Sequence, residues 1–243
     1  MKLTVIVPVY NEAGNLAGCL ARLGETLSPE DEIVVVDDGS TDGTAAEVDG
    51  ERCVLARHEA NMGKGAAIRT GIALARGELI ALIDGDGQDD PRDLAPLVEA
   101  VEAGADLAVG SRFCAAGVTA KGTGPAGKRY SARAVLPVNE LGNRALSAIF
   151  SALFGFRATD VCASLRVYRG EALRRMTISA DRYDVEIEMM IRAVRMGLSI
   201  VEVPVSRHPR GHGRSNLYDV PFGRAKFALQ ALRAFGRGYF LWR

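Results

Sequence analysis

The stretch LIALIDGDGQDD, residues 79–90, joins an uninterrupted apolar run to a dense group of carboxylates. The apolar run predicts a buried strand, and the acidic residues that follow it are Asp84, Asp86, Asp89 and Asp90. Like charges this close together repel, so the group costs free energy unless a cation or several hydrogen-bond donors offset it. Two interpretations follow: a solvated acidic turn, since Asp and Gly are common turn residues, or a divalent-metal site at the carboxyl end of a strand.

The same strand pattern alternates with helix patterns through the first 110 residues. Apolar runs predict strands at 3–9, 33–36, 53–56, 79–83 and 107–109. Between them, helical spacing predicts helices at 12–26, 41–48, 65–75 and 91–103. Strands that alternate with helices form a parallel sheet covered on both faces. The predicted fold class is therefore α/β.

Polar clusters fall at the ends of four of these strands. They comprise residues 8–12, 37–38, 61–64 and 84–86. In open α/β sheets, ligands bind beyond the carboxyl ends of the strands. Because parallel strands end at the same edge, we expect these four clusters to line one binding site.

The composition is that of an ordinary globular protein. Of 243 residues, 48% are apolar and 25% are charged, and 30 Lys and Arg balance 30 Asp and Glu. A chain without net charge has no global field that recruits nucleic acid, so no nucleic-acid partner is expected. The four cysteines lack metal-ligand spacing and predict free thiols in a reducing compartment.

The sequence carries no pattern typical of export or of a membrane span. The opening MKLTVIVPVYNE has no small-residue cleavage site, so it predicts a strand and not a signal peptide. No apolar stretch reaches the roughly 18 residues needed to cross a bilayer. We therefore expect a cytoplasmic protein that does not span a membrane.

Two common phosphate-binding motifs are absent. The GxGxxG pattern does not follow the first strand. In NMGKGAA, residues 61–67, the Gly-Lys pair is followed by Gly65 and not by Ser or Thr, so this is not a Walker loop. What remains is a sheet with acidic strand ends and a D-x-D element, Asp84 and Asp86, which favours binding of a nucleotide diphosphate through a metal.

The second half of the chain alternates less regularly. A Gly-rich basic segment at 114–132 predicts a loop, and strands are predicted at 165–168 and 200–205. Helices are predicted at 139–154, 185–196 and within 217–243. The apolar side of the helix at 139–154 is predicted to comprise Leu141, Leu146, Ile149, Phe150 and Leu153.

Several segments match a known family in order and spacing. In the first half these are VPVYNE (7–12), VVVDDGSTDGT (34–44), NMGKGAAIRTG (61–71), IDGDGQDDP (83–91) and GSRF (110–113). They resemble the family 2 glycosyltransferases. The second-half segments are TDVCASLRVYR (159–169), YDVEIEMMIRAVRMGLSIVEVPV (183–205) and RGHGRSN (210–216). They are similar to the polyprenol-phosphate sugar transferase branch, typified by dolichol-phosphate mannose synthase.

The resemblance covers residues 1–216 and implies one domain with a GT-A fold. This fold is a Rossmann-like, mostly parallel sheet with helices on both faces. The resemblance places a nucleotide-sugar half at 1–110 and an acceptor half at 111–216, followed by a helical tail at 217–243. The implied nucleotide-sugar residues are Pro8, Tyr10, Glu12, Asp37, Asp38, Lys64, Asp84, Gly85 and Asp86. A packed aromatic for Tyr10 and a solvated loop lysine for Lys64 remain the alternatives.

The resemblance also implies a divalent cation as cofactor. Mg²⁺ or Mn²⁺ would be held by Asp84, Asp86 and Gln88 and would act as a Lewis acid on the departing diphosphate. In this interpretation the carboxylates tolerate one another because a cation belongs between them and the donor. Asp89 and Asp90 are expected instead to cap the helix that follows them.

The implied acceptor is a polyprenyl phosphate. A phosphate is ionised at neutral pH, so its oxygen can attack the anomeric carbon without a strong general base, and the enzyme supplies positioning and anion binding. The planar guanidinium fork of arginine suits the second task. The implied acceptor-phosphate residues are Arg112, Arg133, Arg166, Arg210 and Ser215, and the implied catalytic residues are Asp86, Arg112 and Asp160. Asp160 would hold the acceptor arginines, act as a base toward a hydroxyl acceptor, or form a structural salt bridge.

The expected activity is an inverting transfer from a nucleoside-diphosphate sugar to a polyprenyl phosphate. One rival is the same donor chemistry with a soluble hydroxyl acceptor, favoured by Asn216, which stands after Ser215 where the family usually has Lys. A second rival is a non-catalytic sugar-nucleotide-binding protein, which the intact D-x-D disfavours.

The tail at 217–243 interleaves five Lys and Arg residues and one Asp with aromatic and aliphatic residues. A basic amphipathic helix of this kind fits attachment to the inner face of a membrane. Packing across the back of the domain is the alternative. Many relatives continue into transmembrane helices, whereas this sequence stops, so any attachment is expected to be peripheral.

Overall fold

A seven-stranded sheet forms the centre of the computed structural model, which describes residues 1–49, 52–114, 137–213 and 222–242. The strands are β1 (Leu3–Val9), β2 (Glu32–Asp37), β3 (Cys53–Arg57), β4 (Leu79–Leu82), β5 (Leu107–Ser111), β6 (Arg166–Arg169) and β7 (Ile200–Pro204). Their order across the sheet is β3-β2-β1-β4-β6-β5-β7. All neighbours pair in parallel except β6, which runs antiparallel to β4 and β5. The predicted α/β class and the mostly parallel sheet are confirmed.

Helices cover both faces of this sheet. They are α1 (Leu16–Thr26), α2 (Lys64–Leu74), α3 (Leu94–Glu102), α4 (Pro137–Phe154), α5 (Gly170–Arg174), α6 (Val185–Arg195) and α7 (Gly223–Phe240). The helices α1 and α3 pack on one face, and the other helices pack on the opposite face. Alternate residues of β1 enter the two cores: Val5 and Val7 face α1, whereas Ile6 faces α2. Burial on both faces explains why the central strands are continuous apolar runs.

Several helix boundaries differ from the prediction. The helix predicted from residue 12 begins at Leu16, because Glu12 and Asn15 form a turn in which the N–H of Asn15 donates to the Glu12 carbonyl at 3.0 Å. The segment predicted as a helix at 41–48 is a 3₁₀ turn at 44–47, and another 3₁₀ turn at 91–93 precedes α3. Apart from residue 114, the loop predicted at 114–132 lies outside the described residues.

The predicted apolar side of α4 is only partly buried. Phe150 is fully buried and Leu146 packs against the core, as predicted. Leu141 is 71% exposed, and Ile149 and Leu153 are 40% and 39% exposed. The predicted apolar side is therefore buried only in part, because α4 contacts the described core along a narrower stripe than its apolar pattern suggests.

Two further expectations concern the membrane and the cysteines. In the parts of the chain that the structure describes, no helix is long and apolar enough to cross a bilayer. All four cysteines are free thiols, as predicted.

Candidate active site

The carboxyl ends of β1, β2 and β4 meet at one edge of the sheet because these strands are parallel. The polar clusters that follow the strands touch one another there. The N–H of Asn11 donates to Ser40 Oγ at 2.9 Å, and Lys64 Nζ lies 2.6 Å from Asp84 Oδ1. The structure therefore brings the four predicted clusters together at a single edge.

Asp84 lies directly beyond the end of β4, in contact with Lys64. Burial alone would raise the pKa of Asp84, but the Lys64 ammonium outweighs this effect and lowers the pKa below its usual value. The next residue, Gly85, is buried, and a Cβ there would lie 2.3 Å from Val9 Cγ1. Only glycine fits between the two aspartates, so the tight D-x-D turn depends on it.

Asp86 faces two arginines from the segment that follows β7. Its Oδ2 lies 3.3 Å from Arg210 Nη1 and 3.9 Å from an Nη2 of Arg207. Burial, together with the nearby carboxylates of Asp84 and Asp89, raises the pKa of Asp86 to about 6 despite the attraction of Arg207. Burial is the main cause of this shift, so the ionised form of Asp86 is poorly stabilised in spite of its guanidinium neighbours.

Glu12 completes this group from the loop after β1. Its Oε2 accepts a hydrogen bond from Arg210 and another, at 3.0 Å, from Asn15 Nδ2. Burial raises the pKa of Glu12 in spite of the arginine. The predicted acceptor-phosphate residue Arg210 is therefore held by two carboxylates, from Glu12 and Asp86, in this structure.

The ion pairs at this edge form two groups, one around Lys64 and one around Arg207 and Arg210, and each group has one carboxylate more than it has cations. The acidic cluster, as we call it, consists of Glu12, Asp84, Asp86, Asp89 and Glu186 with the cations Lys64, Arg207 and Arg210. Five carboxylates against three cations leave a net charge of −2. Such an excess in a poorly solvated site is unfavourable, and a divalent cation between Asp84 and Asp86 would neutralise it.

The donor set also fits such a cation. No three acidic, imidazole or thiol side chains converge as a ready-made metal cage within the described ranges. A closed cage is not required, because Mg²⁺ usually takes one or two protein carboxylates and fills its shell with substrate phosphates and water. The pair Asp84 and Asp86 provides that number of carboxylates.

Gln88 is not placed as the predicted third metal ligand. Its Oε1 accepts from Arg207 Nη2 at 2.9 Å, and its Nε2 donates to the carbonyl of His208 at 3.2 Å. Both ends of the amide are thus engaged with the segment after β7. We correct the assignment: Gln88 ties that segment to the D-x-D turn.

Of the helix caps predicted for Asp89 and Asp90, only that of Asp90 is present. Asp90 accepts from the N–H of Arg92 at 3.1 Å and caps the turn, as predicted. Asp89 is not a cap, because its Oδ1 pairs with Arg207 at 2.7 Å and its Oδ2 accepts from Ser164 at 2.9 Å.

The acidic pair after β2 also divides into two roles. Asp38 accepts from the N–H groups of Met62 and Gly63, at 2.9 and 2.7 Å, and so fixes the loop before α2. Asp37 accepts from the N–H of Ser40, but its buried Oδ2 has no hydrogen-bond partner among the described residues. Arg57 Nε lies 3.1 Å from that oxygen without the geometry of a hydrogen bond. Asp37 is therefore the member of the pair with unused accepting capacity.

Pro8 and Tyr10 lie on and just beyond β1, and both are half-buried. Pro8 lines a small cavity whose polar walls include Lys64, Asp84 and Glu186. The two residues lie at the carboxyl edge of the sheet, and their role toward a nucleotide sugar stays a prediction.

Arg112 and Asp160 form a bidentate pair beyond the end of β5. The Nε and Nη2 of Arg112 donate to the two carboxylate oxygens of Asp160 at 2.6 and 2.7 Å. Asp160 is fully buried and also accepts from the backbone N–H of Arg112 at 3.1 Å. A carboxylate engaged in this way is not available as a base, so the geometry favours its alternative roles of holding an arginine or forming a structural salt bridge.

Arg166 lines the same small cavity as Lys64 and Asp84, but its guanidinium is engaged by backbone carbonyls. Its side chain is 1% exposed, and its guanidinium donates to the carbonyls of Ala163 and Val161 at 2.9 and 3.0 Å. We correct its assignment from acceptor-phosphate ligand to a support for the turn that carries Asp160. Arg133 and Ser215, the other two predicted acceptor residues, lie outside the described residues.

Two members of the acidic cluster were missed by the sequence analysis. Glu186 Oε1 lies 2.6 Å from Lys64 Nζ, and Arg207 pairs with Asp89. Glu186 stands among apolar residues at the start of a helix, which makes it an unexpected charge in a buried pattern. This charge in a buried pattern could have identified Glu186 from the sequence.

The family model described as Glycosyl transferase family 2 matches residues 4–176. The match covers most of the chain and agrees with the α/β sheet and its acidic edge. This protein belongs to glycosyltransferase family 2.

Curated relatives and solved structures refine that placement. The chain is 33% identical over 225 residues to polyprenol monophosphomannose synthase of Mycolicibacterium smegmatis, covering 88% of this chain and 80% of that protein. It is 33% identical over 234 residues to undecaprenyl-phosphate mannosyltransferase of Micrococcus luteus, covering 89% and 88%. Glucosyl-3-phosphoglycerate synthase of Mycobacterium tuberculosis, solved with Mn²⁺, UDP and glucosyl-3-phosphoglycerate, shares the fold with a TM-score of 0.71 at 20% identity, covering 97% of this chain and 80% of that one.

Proposed function

We propose that this protein transfers a sugar from a nucleoside diphosphate to a polyprenyl phosphate, with inversion at the anomeric carbon. The observation that carries the proposal is the net charge of −2 on the acidic cluster at the carboxyl edge of the sheet. This charge is suited to a divalent cation with a bound diphosphate. The names of the two mannosyl-transferring relatives support the lipid phosphate as acceptor.

In this proposal, Asp84 and Asp86 hold Mg²⁺ or Mn²⁺. When bound, the cation supplies Lewis-acid stabilisation of the charge that develops on the departing diphosphate. Asp37, with its unused acceptor oxygen, is the residue we assign to the nucleoside, beside Pro8 and Tyr10. Lys64 lies 2.6 Å from Asp84, so we assign it to the metal site.

The acceptor phosphate is assigned to Arg112 and Arg210. Asp160 fixes the guanidinium of Arg112 in one orientation, and the Nη1 of Arg112 has no hydrogen-bond partner in the described part of the chain. A fixed fork binds an anion with little loss of side-chain entropy. The ionised phosphate needs no base, which agrees with the engagement of Asp160.

Product analysis tests the proposal. GDP-mannose and UDP-glucose are each offered with Mn²⁺ and either a short polyprenyl phosphate or 3-phosphoglycerate. We expect a β-linked polyprenyl product from an α-linked donor, identified by NMR of the anomeric proton. Turnover of phosphoglycerate in preference to the lipid phosphate supports the soluble-acceptor alternative, and an α-linked product contradicts a single displacement.

Helix α7 supports a lipid acceptor because it has two apolar faces. Its inner face packs against α4 and α6: the ring of Phe235 lies 6.3 Å from that of Phe154, and a Cβ at Gly238 would lie 2.7 Å from Ile191 Cγ2. Packing, one of the two roles considered for the tail, therefore accounts for the inner face only.

The outer face of α7 is exposed. Leu229, Leu232 and Phe240 recur there at helical spacing and are 49%, 58% and 72% exposed. Lys226, Arg233 and Arg237 lie along one border of this face and are exposed. An apolar strip bordered by cations is complementary to an anionic membrane surface. We therefore propose that α7 rests peripherally on the cytoplasmic leaflet, where the acceptor is located.

Vesicle sedimentation tests this attachment. Wild-type protein should sediment with phosphatidylglycerol-containing vesicles, and the double substitution Leu229→Ser and Leu232→Ser should reduce the bound fraction several-fold. Leu74→Ser, at a 40% exposed leucine on α2, is the matched control. Equal sedimentation of all three proteins contradicts the assignment, as does a dimer in ultracentrifugation that the double substitution dissociates.

A further inference from the structure

Lys64 is shared between two carboxylates from different halves of the molecule. Its Nζ lies 2.6 Å from Asp84 Oδ1 and 2.6 Å from Glu186 Oε1. The exposed fractions of the side chains are 15% for Lys64, 22% for Asp84 and 11% for Glu186. The lysine is thus poorly solvated and depends on these two partners.

The backbone around Lys64 is fixed on both sides. The N–H of Gly65 donates to the carbonyl of Asp181 at 2.8 Å, and a Cβ at Gly65 would lie 2.0 Å from the carbonyl oxygen of Ala180. The segment that contacts Gly65 is itself held in place: Glu188 in α6 accepts from the N–H of Ser179 at 3.0 Å. Lys64 and Glu186 are therefore held close together whatever occupies the metal site.

A divalent cation at Asp84 changes the position of the lysine. An ammonium and a metal ion cannot both lie against the same carboxylate oxygen without strong repulsion. If Asp84 were its only partner, Lys64 would lose its counter-charge when the metal binds, and an unpaired charge in a poorly solvated site is costly. Glu186 provides a second counter-charge within reach.

We propose that Glu186 is a positioning residue that takes over Lys64 when a divalent cation binds Asp84. The carboxylate of Glu186 keeps the ammonium paired, which frees Asp84 Oδ1 for the metal. This inference rests on the proposed function, since it assumes that Asp84 is a metal ligand.

Mn²⁺ binding to the full-length protein tests the inference without any turnover. Mn²⁺ alone is titrated, and the free ion is measured by its electron paramagnetic resonance signal. We expect Glu186→Gln to weaken Mn²⁺ binding about tenfold, the effect of losing one charge-assisted contact. Glu78→Gln, an exposed carboxylate away from the cluster, controls for net charge and should leave binding unchanged.

A double-mutant cycle separates positioning from a direct field effect. In a Lys64→Met background there is no ammonium that Glu186 could hold away from Asp84. Adding Glu186→Gln should therefore change Mn²⁺ affinity less than about twofold. If Glu186 acts only through its negative charge, the substitution weakens Mn²⁺ equally in both backgrounds, and the inference is overturned. Glu186→Asp, which keeps the charge, provides the same comparison if the glutamine variant does not fold.

The wild-type titration distinguishes failure of the proposed metal site from failure of the role proposed for Glu186. Failure of wild type to bind Mn²⁺, or binding unaltered by Asp84→Asn, rejects the metal site and with it both ideas. Asp84-dependent binding that is unaffected by Glu186→Gln rejects only the role of Glu186.

Discussion

The acidic cluster and the Arg112–Asp160 pair lie at the same edge of the sheet, but their charges balance differently. In the pair, one guanidinium meets one buried carboxylate through two hydrogen bonds of 2.6 and 2.7 Å. In the cluster, five carboxylates share three cations. The pair is complete without a ligand, whereas the cluster retains negative charge that a bound cation would neutralise.

This difference separates two ways of preparing a binding site. A balanced pair fixes the direction of a guanidinium at no further electrostatic cost, which suits a residue that must meet an anion in one orientation. An unbalanced cluster is destabilising until its ligand arrives, and perturbed pKa values are typical of functional sites for this reason. The pKa of Asp86 is raised chiefly by burial and further by the carboxylates of Asp84 and Asp89, so its ionised form is poorly stabilised without a ligand.

The largest expected effect comes from removing charge from the cluster. Asp84→Asn or Asp86→Asn should lower turnover about 10³-fold, because a Lewis-acid cation contributes several kcal/mol to transition-state stabilisation. Calorimetric titration with Mn²⁺ and the donor nucleotide should show loss of metal-dependent binding. Unchanged nucleotide affinity in either variant, with metal present, contradicts the assignment of the site.

Breaking the balanced pair should affect the acceptor and not the donor. Arg112→Lys should raise the KM for a short polyprenyl phosphate about tenfold, because a point charge replaces a planar fork. Arg112→Ala is a poorer test, since it leaves Asp160 buried without its partner and should destabilise the fold by about 3–5 kcal/mol. Kinetics at saturating donor decide the matter, with the exposed Arg76→Lys as control. The assignment fails if the Lys variant has wild-type acceptor kinetics.

The two aspartates of the D-x-D should change stability in opposite directions. The folded-state pKa of Asp86 lies above its ordinary value, so the unfolded chain loses its proton first as pH rises from about 4 to 6, and folding stability falls across that window. At pH 8, Asp86→Asn should therefore stabilise the metal-free protein by about 1–3 kcal/mol. The lowered pKa of Asp84 has the reverse sign, so Asp84→Asn should destabilise it.

Denaturant unfolding at pH 8 and pH 4, without metal, measures both effects. The stabilisation by Asp86→Asn should largely disappear at pH 4, where the wild-type carboxyl is protonated in the folded state and about half protonated in the unfolded state. Destabilisation by both variants at pH 8 would show that the cluster is not unbalanced.

Metal binding should also respond to pH without any substitution. Because Mn²⁺ requires the ionised carboxylate and the pKa of Asp86 is about 6, apparent affinity should be nearly constant above pH 7. Below pH 6 it should fall about tenfold per pH unit. The same titration by electron paramagnetic resonance provides the measurement, and a midpoint near pH 4 would mean that Asp86 is not perturbed.

The donor edge could be predicted from the sequence because its information is local. Each cluster directly follows or lies just beyond an apolar run, and parallel pairing alone brings the strand ends together. The partners of these residues could not be predicted, because they come from distant segments. Arg210 and Glu12 are 198 positions apart, and Lys64 and Glu186 belong to two helices, α2 and α6, that are far apart in the sequence.

Burial also limited the sequence analysis in the second half. Arg166 stands in the short strand β6, where an arginine looks like a ligand, yet the turn at 161–163 offers carbonyls that bury it. The antiparallel direction of β6 was not visible either, since four residues carry no signal of pairing direction. On α4, a broad apolar stripe could not reveal that only part of it meets a neighbour.

The close approach at the start of α2 has a consequence for protein engineering. Any side chain at Gly63 or Gly65 would place its first carbon 2.1 or 2.0 Å from a carbonyl oxygen of residues 180–181. Residues 63–65 and 180–181 therefore meet backbone to backbone at this point. In a hybrid enzyme that takes residues 1–110 from one family member and the remainder from another, the two sides of this contact would come from different proteins. Its success should depend on matching the 61–65 and 178–186 segments as a single exchangeable unit, whatever the substrates of the parents.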